Sequence, residues 1–208
     1  MKVILFDINK QMIDAWEPEF APYFSHPDHP VEIQLSSVGT LLATVDIDGL
    51  VSPANSFGFM DGGIDGVYSQ LIPGIQQKVQ TVINSKDYYG EIPVGQAFTV
   101  ETRQPNPFEL IVAPTMRVPH DLNNDLAINC YLATRAVFIE ADRYYGSEQI
   151  LAIPGMGTGC GYLPVDFVAK SMRKAYEDIL LNKFSIPTQL GQASSQHRDI
   201  MNWLVGIG

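Results

Sequence analysis

The stretch 52–67, SPANSFGFMDGGIDGV, constrains the fold more than any other part of the chain. The apolar run 49–51 ahead of it reads as the end of a strand, and the residues after Asp65 read as a helix. Between them stand Asn55, Asp61 and the pair Gly62-Gly63, and Asp65 follows Asn55 by ten positions. A strand that passes through a glycine turn into a helix start leaves backbone N–H groups unpaired and pointing outward. The helix dipole there favours an anion. A carboxylate at that place is a poor phosphate ligand; it is better placed to order a water or a ribose hydroxyl beside the phosphates. Asp65 also reads as a plain capping acid, and Asn55 as a turn residue tolerant of left-handed geometry.

A second loop supports the first. Residues 151–164 read LAIPGMGTGCGYLP: a short apolar strand, 150–153, opens into Gly155, Gly157, Gly159 and Gly161 with Thr158 among them. Pro164 then starts a helix, where its missing N–H costs nothing. One GxGxG run alone is more often a tight turn than a ligand site. Two glycine-rich strand-to-helix turns in one domain suggest two walls around a diphosphate.

The rest of the chain alternates strands and helices. Strands are expected at 3–6, 31–35, 41–45, 50–52, 97–100, 110–113 and 150–153, with 31–35 and 41–45 as a hairpin around Gly39-Thr40. Helices are expected at 10–16, ending near Pro18, at 65–83 with a break at Pro73-Gly74, at 122–144, and at 165–181. Leu126, Cys130, Ala133, Val137 and Ala141 recur at helical spacing. This alternation points to a mixed, mostly parallel sheet covered on both faces, with ligands beyond the carboxyl ends of its strands. Residues after Phe184 turn polar, and 200–207 is apolar enough to dock back or to touch a partner.

The chain has 208 residues, enough for one well-buried domain. Its net charge of −10 argues against electrostatic binding of nucleic acid or an anionic membrane. The same charge means that backbone donors must do most of the work of holding any diphosphate. Two cysteines, Cys130 and Cys160, make neither a disulfide framework nor a metal site. Cys130 reads as core, and Cys160 as a small loop residue offering its backbone N–H. The short N-terminal apolar run is broken by Asp7, so it reads as a strand rather than a signal peptide, and no run approaches membrane-span length. The expected compartment is cytoplasmic. No metal or cofactor is called for.

The paired loops resemble those of the macro domain, the ADP-ribose-binding module. Asn55, six residues, then Gly62, Gly63 and Ile64 follow the N-x6-G-G pattern of the MacroD-type hydrolase branch, and Asp65-Gly66 continue its GGVDG stretch. The run 155–164 resembles the family's second loop, 93–100 its PTGxAxxT strand entry, and 108–114 its YVIHTVGP strand. The resemblance covers roughly residues 31–182 of a single domain spanning 1–208, leaving 1–30 as a strand-helix extension and 183–208 as a tail. The chain departs from the family at three places. Ser52 replaces the first asparagine of N-A-A-N, and Pro53 stiffens that turn. Tyr162 stands one position later than the family's aromatic. Ser36-Ser37-Val38 lies where the Gly-Asp-Ile motif is expected.

The resemblance implies a three-layer α/β/α fold with a central mixed, mostly parallel sheet. It implies a pocket for ADP-ribose or an ADP-ribosylated substrate, lined by Ala54, Asn55, Gly62, Gly63, Ile64, Asp65, Gly157, Thr158, Gly159, Cys160, Gly161 and Tyr162. It also implies hydrolysis of mono-ADP-ribosyl adducts, by deADP-ribosylation or O-acetyl-ADP-ribose deacetylation. Asp65 would orient water and Asn55 the distal ribose. The alternatives are a non-catalytic ADP-ribose-binding module and an ADP-ribose-1''-phosphate phosphatase. Arg103, Arg117 and His120 receive no role, and Asp61 is expected to be solvated.

Overall fold

The computed structural model describes residues 1–206. Its strands are β1 (Lys2–Asp7), β2 (Val31–Leu35), β3 (Gly49–Ser52), β4 (Phe98–Glu101), β5 (Glu109–Val112) and β6 (Ile150–Pro154). Its helices are α1 (Lys10–Phe20), α2 (Val38–Thr44), α3 (Gly63–Leu71), α4 (Ile75–Ile83), α5 (Ile128–Tyr144), α6 (Val165–Ile179) and α7 (Leu190–Asn202). The strands form one sheet in the order β2-β1-β6-β3-β5-β4. Every described pairing is parallel except β4 with β5, so the sheet is mixed and mostly parallel.

Side-chain alternation along the strands builds two cores. Val3, Leu5, Val51, Leu151 and Ile153 face α1, α5, α6 and the tail helix α7. Ile4, Phe6, Leu50, Leu110 and Ala152 face α2, α3 and α4. Strands buried on both faces read as apolar runs rather than as alternation, and the sheet is therefore the middle of three layers.

Several expectations are corrected. Residues 41–45 are not a strand: Leu41 lies in α2, whose N-cap Ser37 accepts the Thr40 N–H, and Val38 and Leu41 bury one face. A short apolar run fits either element, and here the cap decides. Helix α1 runs through Pro18 to Phe20 because Phe20 is buried edge-on against Tyr176. Residues 122–124 are loop. Asn124 caps a short 3-10 turn, Asp125–Ala127, ahead of α5. The N-terminal strand is no appendage, since β1 pairs with β2 on one side and β6 on the other. The polar tail forms a helix, α7, and its apolar end docks back as expected, through buried Ile200 with Met201, Trp203 and Leu204 beside it. Ile207 lies outside the described residues. Among those residues no helix is long and apolar enough to cross a membrane.

Gly49, at the start of β3, lies directly beneath the ring of Tyr145, whose hydroxyl donates to Glu109 Oε2 at 2.7 Å. A Cβ there would stand 2.8 Å from the ring carbon Cζ. Gly49→Ala is expected to lower stability by roughly 1–3 kcal/mol through overpacking. Gly62→Ala, where a Cβ meets nothing within 4 Å, should leave it unchanged. Urea denaturation of both variants checks this.

Candidate functional site

Strands β2, β1, β6, β3 and β5 all run the same way, so their carboxyl ends share one edge of the sheet. The connections that leave this edge are 8–9, 36–37, 53–62, 113–124 and 155–164. The two glycine loops follow β3 and β6, which are hydrogen-bonded neighbours through Gly49↔Leu151 and Leu50↔Ala152. Adjacent strands lie about 4.8 Å apart, so loops separated by about a hundred residues of sequence become the two walls of one crevice.

The first loop is fixed from below. Ser56 N–H donates to the carbonyls of Met116 and Arg117, and Met60 N–H donates to Gln76 Oε1 at 2.8 Å. A Cβ on Gly58, which has φ +68, would collide with Val79 and Ile83. Asn55 organises the loop itself. Its Oδ1 accepts the N–H groups of Phe57 and Phe59, and its Nδ2 donates to the Phe59 carbonyl at 2.7 Å. The carboxamide keeps one N–H for anything else. Gly62 is extended and Gly63 has φ +55, and nothing lies within 4 Å of where their Cβ atoms would be. The N–H groups of the first turn of α3 therefore open onto free space, with Ile64 half-buried beside them.

Asp65 is in that first turn and is only 8% exposed. Ser52, the last residue of β3, donates its hydroxyl to Asp65 Oδ1 at 2.7 Å. The other carboxylate oxygen has no hydrogen-bond partner among the described residues. Burial pushes the Asp65 carboxyl up to about 6, and the Ser52 hydrogen bond pulls in the opposite direction. One turn further along α3, Tyr68 donates to the Val51 carbonyl at 3.0 Å and is fully buried. Its phenol is held well above its ordinary range by burial and by the negative charges of Asp65 and Asp7.

The second loop folds on its own glycines. Gly157 has φ +90, and its carbonyl accepts the Leu163 N–H at 3.2 Å. A Cβ on Gly161 would run into that same carbonyl. Leu122 N–H donates to the Gly161 carbonyl at 2.9 Å, tying the loop before α5 to this wall. The N–H groups of Thr158, Gly159, Cys160 and Gly161 have no acceptor among the described residues. Cys160 is exposed, whereas Cys130 is buried, which pushes its thiol up to about 12. Tyr162, at φ +51, is 71% exposed and stands out from the wall.

The remaining candidates separate cleanly. Ala54 is buried under the first loop, and Asp61 is exposed. Arg117 lies on the rim, but it is paired with Glu91 at 2.6 Å and stacked over Phe57. Arg103 lies in the β4–β5 turn, at the opposite edge of the sheet. His120 Nδ1 is hydrogen-bonded to the Val118 carbonyl. Sequence reading passed over Asp7, at the carboxyl end of β1. Its Oδ1 accepts the Asn9 N–H, and its Oδ2 would be 2.7 Å from a Cβ on Gly155. A polar residue closing an apolar strand was the available signal. Two cavities lie off the crevice. One of about 760 Å³ is bordered by Glu17, Phe24 and Glu32, and one of about 280 Å³ is behind the first loop near Met60 and Gly74. Neither gathers the free N–H groups, so the crevice is the candidate site.

Residues 51–172, more than half of the chain, match the family model of the macro domain. The chain belongs to the macro domain family. An uncharacterized protein of Aquifex aeolicus is 34% identical over 131 residues, 63% of this chain and 73% of that protein. Among solved structures, the macrodomain of Mycobacterium tuberculosis DarG is 23% identical, with a TM-score of 0.53 over 66% of this chain and 86% of its own. A mutant Oceanobacillus iheyensis macrodomain with ADPR is 16% identical, with a TM-score of 0.51 over 77% and 87%. These structures share the three-layer macro fold.

A buried acid with a raised pKa makes stability depend on pH in a defined sense. The ordinary value is 3.8 and the folded value about 6, so the folded state holds the proton more tightly between them. The associated stability is fully present below about 3.8 and is lost as pH rises through about 6. Asp65→Asn, which mimics the protonated acid, should therefore be more stable than the parent by about 1–3 kcal/mol at pH 8. The gain should vanish near pH 4. Thermal unfolding across this range measures it.

Proposed function

We propose that this macro domain binds ADP-ribose in the crevice and hydrolyses mono-ADP-ribosyl adducts. The observation that carries the reading is the position of Asp65. It is a buried carboxylate in the first turn of α3, held through one oxygen by the strand-end Ser52, with free backbone N–H groups in its own helix turn and in the loop that follows the neighbouring strand β6. The solved Oceanobacillus iheyensis macrodomain with ADPR and the Thermosipho africanus DarTG in complex with ADP-ribose support this choice of ligand.

The N–H groups of Gly62 to Ile64 and of Gly157 to Gly161 hold the diphosphate, so a chain of net charge −10 needs no free cation for it. Thr158 and Cys160 contribute through the backbone of the second wall. Tyr162 covers the outer end of the ligand after turning inward from its exposed position. The remaining Asn55 N–H meets a distal ribose hydroxyl, and Ala54 packs beneath the loop that presents it. Hydrolysis breaks the bond at the anomeric carbon through an oxocarbenium-like state. The free oxygen of Asp65 orients a water toward that carbon and accepts its proton. With a pKa of about 6 the carboxylate is ionised at neutral pH, and turnover should fall as pH drops below that value.

A second reading, binding without turnover, draws on the engagement of the Asn55 carboxamide in its own loop. Assays on mono-ADP-ribosylated peptides, run beside calorimetric titration with ADP-ribose, separate the two. Hydrolysis predicts that Asp65→Ala lowers the rate by about 10²–10⁴-fold while ADP-ribose still binds. A parent protein that titrates with ADP-ribose but releases none from any adduct is a reader. Gly62→Glu, at an open and unstrained position, should abolish binding without lowering the melting temperature.

A further inference from the structure

We propose that Ser52 is a positioning residue: its hydroxyl anchors one oxygen of Asp65 and turns the other toward the crevice. The inference rests on the reading of Asp65 as the water-orienting group and names what holds it in place. Side chains alternate along β3, with Leu50 facing the α2–α4 layer and Val51 the α5–α6 layer. Ser52 therefore points to the α3 side, beneath the first turn of that helix. There it is 1% exposed and 2.7 Å from Asp65 Oδ1.

The strand end clamps α3 at two points. Tyr68 reaches the Val51 carbonyl, and Asp65 receives the Ser52 hydroxyl. The first clamp fixes the helix; the second fixes the carboxyl within it. No N–H of its own helix start donates to Asp65 among the described residues, so the Ser52 hydroxyl is the partner that holds it. A buried carboxylate with one oxygen held by a hydroxyl loses rotational freedom about its last bond, and its free oxygen keeps a single direction. The hydroxyl also stabilises the ionised form, offsetting part of the burial that raises this acid. The Tyr68 phenol, one turn along the same helix, is the titratable group that senses the Asp65 charge, and it senses Asp7 at the end of β1 as well.

The test reads Asp65 directly and does not depend on turnover. Carboxyl ¹³C NMR titration gives the Asp65 midpoint in the parent protein, in Ser52→Ala, in Ser52→Thr and in Tyr68→Phe. Loss of the anchoring hydroxyl in Ser52→Ala should raise the midpoint by about one pH unit. Tyr68→Phe, which loosens the helix but leaves the anchor, should not move it. Ser52→Thr, which keeps a hydroxyl, should stay near the parent value. In parallel, Ser52→Ala should lower kcat on an ADP-ribosylated peptide about tenfold with KM nearly unchanged, and its acid limb should move up with the NMR midpoint. An unmoved midpoint in Ser52→Ala overturns the proposal, whatever happens to the rate. An equal shift in Tyr68→Phe also overturns it, since the effect would then belong to helix packing. A moved midpoint in a parent protein that turns nothing over leaves the anchor standing and removes the hydrolase reading instead.

Discussion

The parallel pairing of β3 with β6 is the contact on which the site depends. These strands are separated by about a hundred residues, and only their register sets the two glycine loops side by side. The pairing is imposed by burial: Leu50, Val51, Leu151, Ala152 and Ile153 are all excluded from solvent, on one face or the other. A sheet covered on both faces needs helical crossovers, and these return each chain segment to the same starting edge. Each loop at the carboxyl edge is therefore a neighbour of the loop on the adjacent strand without any contact designed for the purpose.

Charge is handled by geometry rather than by cations. The chain is strongly acidic, and the arginine nearest the crevice is committed to Glu91 and Phe57. What remains for an anion is two sets of backbone N–H groups without an acceptor among the described residues, with open space where side chains on Gly62, Gly63 and Gly159 would be. Burial beneath the helix start raises the pKa of Asp65, and the Ser52 hydroxyl opposes that rise. An acid so placed weakens the folded state at neutral pH, and the catalytic role proposed for it sets stability against activity.

Much of this was legible in the sequence, and the exceptions have physical causes. Both glycine loops and a sheet covered on both faces followed from local patterns, apolar runs that end in glycine turns and restart as helices; the family resemblance came from the motifs in those loops and implied the three-layer fold. The break at Pro73-Gly74 falls between α3 and α4, and Cys130 is core as expected. Helix α2 was misread because a seven-residue helix with two buried positions carries too little periodicity to differ from a strand. Helix α7 was missed because residues 190–199 are polar, although the apolar residues from Ile200 onward that dock it were legible. At the site, hydrogen bonding between side chains was invisible. Nothing in the spacing of Ser52 and Asp65 shows that they touch, and nothing in Asn55 shows that its carboxamide stabilises its own loop. The place of Asp7 beside Gly155 comes from the position of β1 beside β6, a long-range pairing that no local pattern encodes.

In the proposed arrangement the two glycine loops are the walls of one diphosphate site with Asp65 beside it. A crystal structure of the protein soaked with ADP-ribose is the decisive experiment. The diphosphate is expected between Gly62–Ile64 and Gly157–Gly161, with the distal ribose facing the free oxygen of Asp65. A ligand found elsewhere, in the cavity beside Phe24 and Glu32 or along the outer face of the first loop, would contradict it.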